Sequence, residues 1–365
     1  MSKKYSCKKS FKTAFSLVEL SIVVLIIGIL IAGISQSSRL VRAMKLSTAR
    51  SLTRSSDVNS IRNLTAWFDA TAEGVFSTFC SSSDTNANSS TDLTSTTRSY
   101  NAANNPAGST PSSAYVSPEH RQVVRLWKDS NPQDTDAEKV ILESRSTTCA
   151  TKDYSSSGTL GDNRGPMYHN SGIAGLPSIY FDGGNNWFSS INSVTMPIVA
   201  GKKDFSLFAV YRTDSDYAGG THRNIMQFSS LGQAQNDGKY PALVASNNSS
   251  GCTTYPMLSW WNNNDDCTYK VYPNNAKYTT KPGSDYAFGV AIDANSSSTI
   301  VNTNTKLYFN SANPADNIIV GSNLTSLPDF VNQQLNIGGG FNNTNLYPYK
   351  GFISEVLIFD RKLTN

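Results

Sequence analysis

The stretch from Leu17 to Ile34 constrains this chain more than any other. It reads LVELSIVVLIIGILIAGI, eighteen residues with a single charge, Glu19. That length reaches the lower end of what a membrane-spanning helix needs, about 20 apolar residues. Lys3, Lys4, Lys8, Lys9 and Lys12 precede it with no acid among them. A basic flank of this kind stays cytoplasmic, so the remainder of the chain is expected to be exported. A secretory signal has a shorter apolar core followed by small residues at a cleavage site. Here the core is longer and carries a carboxylate near its start. A carboxylate inside an apolar segment is costly and calls for a partner or a task. A plain membrane anchor supplies neither.

Beyond the apolar run the helix is expected to continue. Residues 35–62 contain neither Pro nor Gly, and Leu40, Ala43, Met44 and Ser47 recur at helical spacing. Residues 15–62 therefore read as one helix, transmembrane first and an amphipathic stem later, after a basic leader at 1–14. Arg39, Arg42, Lys45, Arg50, Arg54 and Arg62 read as a solvated basic face near lipid headgroups.

The segment Lys12-Thr13-Ala14-Phe15-Ser16-Leu17-Val18-Glu19, followed by the apolar run, resembles the type IV prepilin signal. The resemblance implies cleavage between Ala14 and Phe15 by a prepilin peptidase and methylation of the new amine of Phe15. Gly is usual before the cut, and Ala14 departs from that. Glu19 would pair with the terminal amine of a neighbouring pilin subunit, neutralising both charges in a filament. Where major pilins carry a helix-kinking proline, this chain has Gln36. That departure implies a minor pilin or pseudopilin. The expected location is the bacterial inner membrane, single-pass with a periplasmic head, and then a pilus or the cell surface. The expected partners are the peptidase, the inner membrane and other pilin subunits.

After residue 62 the pattern changes to short apolar runs separated by polar turns. Charged residues are only 16% of the chain, with Asn, Ser and Thr in their place, which suits an extracytoplasmic β-rich domain. Candidate strands are 64–69, 123–128, 178–182, 204–212, 224–229, 241–245, 256–261, 286–293, 306–309, 334–338 and 350–359. Strands at this density predict a sandwich or jelly roll over 63–365. The fold class is thus mainly β, behind a long N-terminal α-helix. Residues 81–118 are rich in Ser, Thr and Asn and read as an exposed low-complexity loop. Beyond position 62 there are 20 basic and 25 acidic residues, a balance of about −5. An acidic head argues against nucleic-acid binding, which wants a basic face.

Five cysteines are present, and Cys7 lies in the leader. Its removal leaves Cys80, Cys149, Cys252 and Cys267, an even number that suits an oxidising compartment. The pairing Cys80–Cys149 with Cys252–Cys267 is preferred because the second bridge would close one local loop. The other two connectivities remain open.

The head resembles the laminin G-like, concanavalin A-like jelly-roll family. The residues that carry this are Ala66-Trp67-Phe68-Asp69-Ala70, Leu126-Trp127-Lys128-Asp129-Ser130, Ile179-Tyr180-Phe181-Asp182-Gly183, Phe205 to Val210, Leu335 to Gly339 and Gly351 to Arg361. The resemblance implies a lectin-like head that meets a glycan or a surface protein. Some members bind calcium at the sandwich rim, and Asp182, Asp265 and Asp266 are the donors such an ion would use. Those residues serve equally as turn caps, and no cofactor is required. Trp187, Trp260 and Trp261 with Tyr255 would offer an aromatic platform for sugar rings.

Catalysis is not expected. Glucanases on this fold use two glutamates flanking the scissile bond. The head holds Glu73, Glu119, Glu138, Glu143 and Glu355, with no pair at strand spacing. Glu355 lies in an apolar strand and reads as a brace for the core. His120, His169 and His222 match no metal-binding spacing. The expected protein is a minor pilin or pseudopilin-like subunit with a non-catalytic head. The alternatives are a type II secretion pseudopilin and a membrane-anchored surface lectin that does not polymerise.

Overall fold

The computed structural model describes residues 17–78, 124–144 except 137, 166–190 except 184–186, 204–214, 223–230, 241–245, 255–260, 270–293, 300–321 except 302, 303 and 317, 333–339 and 348–363. The chain divides into two compact units, Met1–Ser47 and Thr48–Asn365.

One helix, α1 (Leu17–Arg54), runs 38 residues. Leu17, Val18, Leu20, Leu25 and Ile29 to Ile31 are all exposed along its first half. Glu19 stands in its first turn, where negative charge complements the partial positive charge of a helix N-terminus.

The location expected from the sequence is corrected here. Among the described residues no helix is long and apolar enough to cross a membrane. The apolar run Leu17 to Ile34 is eighteen residues and includes Glu19. At 1.5 Å per residue it spans about 27 Å, short of the ~30 Å hydrocarbon core. A membrane-spanning helix and a single-pass inner-membrane protein therefore do not follow from this structure.

The helix also ends earlier than residue 62. The side-chain amide of Asn59 donates to the carbonyls of Thr53 at 3.0 Å and Arg54 at 2.8 Å, capping the last turn. A short 3₁₀ turn, Asp57–Ser60, follows, with Ser56 Oγ accepting from the Val58 amide. Asn63 takes a positive φ of 67° and turns the chain into the first strand.

Among the described residues seventeen strands follow. They are β1 (Leu64–Asp69), β2 (Phe76–Thr78), β3 (Val124–Lys128), β4 (Ile141–Ser144), β5 (Met167–His169), β6 (Ser178–Asp182), β7 (Phe188–Ser190), β8 (Asp204–Thr213), β9 (Asn224–Ser230), β10 (Pro241–Val244), β11 (Met257–Trp260), β12 (Lys270–Pro273), β13 (Asp285–Asp293), β14 (Thr305–Phe309), β15 (Ile318–Val320), β16 (Gln333–Ile337) and β17 (Lys350–Phe359). They form a seven-stranded sheet, ordered β14-β13-β8-β17-β6-β5 with β1 on the second half of β17, and a ten-stranded sheet, β15-β12-β11-β10-β9-β16-β7-β4-β3-β2. Each strand of the expected set lies within or beside one of these. Those not foreseen, β2, β4, β5, β7, β12 and β15, are three or four residues long.

Alternation explains why the sheets face each other. On β8, Phe205, Leu207, Ala209 and Tyr211 are buried while Phe208, Val210 and Arg212 are partly exposed. Inward residues of both sheets meet in one core. Phe68 of the first sheet meets Trp127 of the second edge-on at 5.6 Å, and Phe181 meets Phe188 at 6.0 Å. These T-shaped contacts place a positive ring edge against a negative face and link the two layers. The mainly β sandwich expected for the head is what the structure contains.

Candidate binding groove

The outer face of the seven-stranded sheet carries the candidate site. Cross-strand register lines up Trp67, Leu357, Phe208, Gly289 and Tyr308 across five strands. The neighbouring row is Asp69, Glu355, Val210 and Ala287. Strand side chains normally stand away from the sheet, but Phe208 does not. A Cβ on Gly289 would lie 2.0 Å from Phe208 Cδ1 and 2.3 Å from Cε1. The ring therefore lies over the bare backbone of Gly289. Tyr308 flanks it at 5.9 Å, tilted 41°. The depression that results is an open groove of about 370 Å³, lined by Phe208, Val210, Gly289, Tyr308, Glu355 and Leu357 among others. That volume is in the range of small-molecule sites.

Glu355 brings a carboxyl group to the groove, and a β-bulge puts it there. The register shifts between Ile353 and Glu355. Without the shift both would share one face. With it, Ile353 points into the core at 0% exposure while Glu355 faces out. The expectation that Glu355 braces the core is corrected by this extra residue, Ser354, whose hydroxyl donates to the Pro177 carbonyl at 3.1 Å.

Hydrogen bonds fix the carboxyl of Glu355 in turn. The Trp67 indole Nε1 donates to Glu355 Oε1 at 2.7 Å. The Trp67 backbone amide donates to Asp129 Oδ1 at 2.8 Å, and the Asn131 amide to the same oxygen at 2.7 Å. Asp129 thus holds Trp67, and Trp67 holds Glu355. Burial pushes the Glu355 carboxyl up to about 7, helped by the charge of Asp69 and opposed by the indole hydrogen bond. Burial likewise raises Asp129 to about 7 against its two backbone donors.

Asp69 lies opposite Glu355 in the register but is already occupied. Its Oδ1 accepts from the Thr71 amide at 2.7 Å and its Oδ2 from the Thr71 hydroxyl at 2.8 Å. It is 3% exposed. Burial raises its carboxyl above the ordinary value. Thr71 also takes part in the anchoring of α1: Arg50 Nε donates to the Thr71 carbonyl at 2.9 Å, and Arg50 pairs with Glu73.

A second aromatic cluster lies on the same face. Tyr180 and Phe352 meet at 4.9 Å, His169 meets Phe352 at 5.1 Å, and the Arg212 guanidinium sits 5.7 Å over Phe352. Its polar groups are engaged with each other: Arg212 Nε donates to Asp285 at 2.6 Å and Tyr180 OH to Asp214 at 3.0 Å.

The residues expected from sequence fare differently. Trp187 is buried at 6% exposure and presents no ring to a ligand. Tyr255 stacks on Tyr272 at 6.3 Å with 12° between the rings, on the ten-stranded sheet rather than at the groove. Asp182 closes β6 opposite Lys350, beside Gly183 at φ 83°. Among the described residues no three His, Cys, Asp or Glu side chains gather to hold a metal ion. Ala14, Phe15, Cys80, Cys149, Cys252, Cys267, Trp261, Asp265, Asp266 and the side chain of Trp260 lie outside the described residues. Phe208, Gly289 and Tyr308 were not foreseen. The available signal was Gly289 itself, a glycine inside the strand YAFGVAID, which marks close approach by another group.

No family model matches the chain, and no curated protein matches it. Solved structures do. Domain 4 of a GH43 extracellular arabinanase from Geobacillus stearothermophilus, in complex with arabinotriose, aligns at TM-score 0.35 and 14% identity over 55% of this chain and 77% of that one. The CBM40 of Ruminococcus gnavus IT-sialidase, bound to α2,3 sialyllactose, aligns at 0.34 and 13%, over 47% and 82%. A Trypanosoma rangeli sialidase aligns at 0.31 and 10%, over 66% and 29%. The sandwich architecture stands on the two sheets of this chain, and what those proteins bind is not carried over by these likenesses.

Proposed function

We propose that this chain is a minor type IV pilin-like or pseudopilin-like subunit that displays a non-catalytic, lectin-like head. In this reading a prepilin peptidase cuts between Ala14 and Phe15, Phe15 is methylated, and Glu19 receives the terminal amine of a neighbouring subunit. The observation that carries the head's role is the groove over Gly289, which the Phe208 and Tyr308 rings line together with the Glu355 carboxyl group. Aromatic faces and hydrogen-bonding side chains in one shallow site are what sugar rings require. Among the described residues Glu355 is the only carboxylate lining the groove, and both oxygens of Asp69 accept from Thr71. Most glycosidases act with a pair of carboxyl groups, and the absence of such a pair among the described lining residues supports binding over hydrolysis. The uninterrupted helix after Glu19, with its exposed apolar surface, supports assembly through the N-terminal segment.

Mass spectrometry of the chain made in cells that carry a prepilin peptidase tests the first half. A new N-terminus at N-methylated Phe15 is expected. An intact Met1, or a cut beyond Ile34, would overturn it.

A further inference from the structure

The lining of the groove restricts its ligand beyond the general reading of the head as a lectin. Around Phe208 the walls are Val210, Ala287, Gly289, Tyr308 and Leu357. Among the described residues the one carboxylic acid of the lining is Glu355, and none is Lys, Arg or His. An anionic sugar placed here would set its carboxylate or sulfate beside Glu355 with no cation to receive it. Above pH 7, where the Glu355 carboxyl is ionised, like charges at such range are disfavoured. A neutral ring meets neither problem. Its C–H face lies on the Phe208 ring, and its hydroxyls meet Glu355, one of whose oxygens is already held by the Trp67 indole. Because Trp67 is held by Asp129, that carboxyl is set before a ligand arrives.

We infer that the groove formed by Phe208, Gly289, Tyr308 and Glu355 is a binding site for a neutral pyranose and discriminates against sialylated or otherwise acidic sugars. Phe208 supplies the stacking face. Glu355 accepts a ligand hydroxyl and repels ligand acids. Gly289 leaves room for the ring to lie flat. Asp129 and Trp67 are positioning residues that act through Glu355. The inference rests on the lectin-like reading of the head.

The test is binding of the full chain, at pH 8 where the Glu355 carboxyl is ionised, to a panel of immobilised neutral oligosaccharides and their sialylated counterparts. Three variants accompany the parent. Glu355→Gln keeps an acceptor for the Trp67 indole but removes the charge. Phe208→Leu keeps apolar bulk but removes the aromatic face. Ala287→Gln fills the groove from an exposed lining position without touching the core. Neutral sugars are expected to bind and their sialylated forms to bind at least tenfold more weakly. Each variant is expected to weaken neutral-sugar binding about tenfold or more, as loss of a charged hydrogen bond or a stacking face does. Glu355→Gln is also expected to narrow the gap between neutral and sialylated ligands, which a merely destabilised protein would not do. Binding of sialylated sugars alone, or neutral binding that Ala287→Gln and Glu355→Gln leave unchanged, overturns the site while leaving a lectin. Absence of binding to every sugar on the panel overturns the lectin reading as well.

Discussion

Replacing Asp129 by Asn should change how the stability of the head depends on pH. Asp129 is 1% exposed, accepts two backbone hydrogen bonds through Oδ1, and has no partner for Oδ2. Burial raises its carboxyl from 3.8 to about 7. The folded chain therefore binds this proton more tightly than the unfolded chain. Stability from this group is fully present below the unfolded value and is lost as pH rises through the folded one. At about 1.4 kcal/mol per unit the whole loss is about 4 kcal/mol, of which about 3 kcal/mol falls between pH 5 and pH 8. Asp129→Asn keeps an oxygen for the Trp67 and Asn131 amides and cannot ionise. The assay is denaturant unfolding of the full chain, read by tryptophan fluorescence, at pH 5, 6, 7 and 8. The variant should gain on the parent by about 3 kcal/mol from pH 5 to pH 8. Glu355 has the same sign of effect, but it is present in both proteins and cancels from the difference. A difference that does not change with pH would refute the reasoning.

Other outcomes follow from the same geometry. Glu355→Gln should remove a second, smaller part of the loss of stability above about pH 5, because its folded carboxyl is also raised to about 7; an unchanged pH profile in denaturant unfolding would count against its burial beside Asp69. Gly289→Ala should cost about 1–3 kcal/mol, as overpacking does, since the new Cβ would lie 2.0 Å from Phe208 Cδ1. Neutral-sugar binding should fall with it, and full stability with full binding would show that the ring does not lie there. Arg50→Ala should cost about 1 kcal/mol or less, as partly exposed ion pairs do, and raise amide hydrogen exchange in residues 50–55; unchanged exchange would mean that Thr71 and Glu73 do not anchor the helix end.

The groove explains why two of the sequence motifs occur together. Ala66-Trp67-Phe68-Asp69-Ala70 and Leu126-Trp127-Lys128-Asp129-Ser130 are far apart in the chain. In the fold Asp129 receives the Trp67 amide, and the Trp127 ring packs on Phe68. One aspartate of the second motif thus orders the strand that carries the first. The same strand delivers the indole that orients Glu355. Core and groove share this connection, so a fault at Asp129 reaches the site without touching a ligand.

Local pattern was enough to specify the long elements. The helix follows from an apolar run continued by residues without Pro or Gly, and its interactions are local in sequence. The long strands β8, β13 and β17 follow from alternation over nine or ten residues. Strands of three residues are too short for a period of two to stand out. The helix end at Arg54 depended on the Asn59 side chain, which propensity does not weigh. The first 34 residues suggested a single-pass membrane protein, yet the helix described is not apolar over a sufficient length. What that segment retains is the Phe15 and Glu19 spacing, a local motif that needs no fold to be read. The groove needed tertiary structure. Phe208, Gly289, Tyr308 and Glu355 come from four strands, and only the pairing register brings them side by side. One bulge residue decides whether Glu355 faces the core or the ligand. Side-chain facing alternates with every residue, so a single insertion in the pairing reverses it, and local alternation alone carries no trace of that reversal.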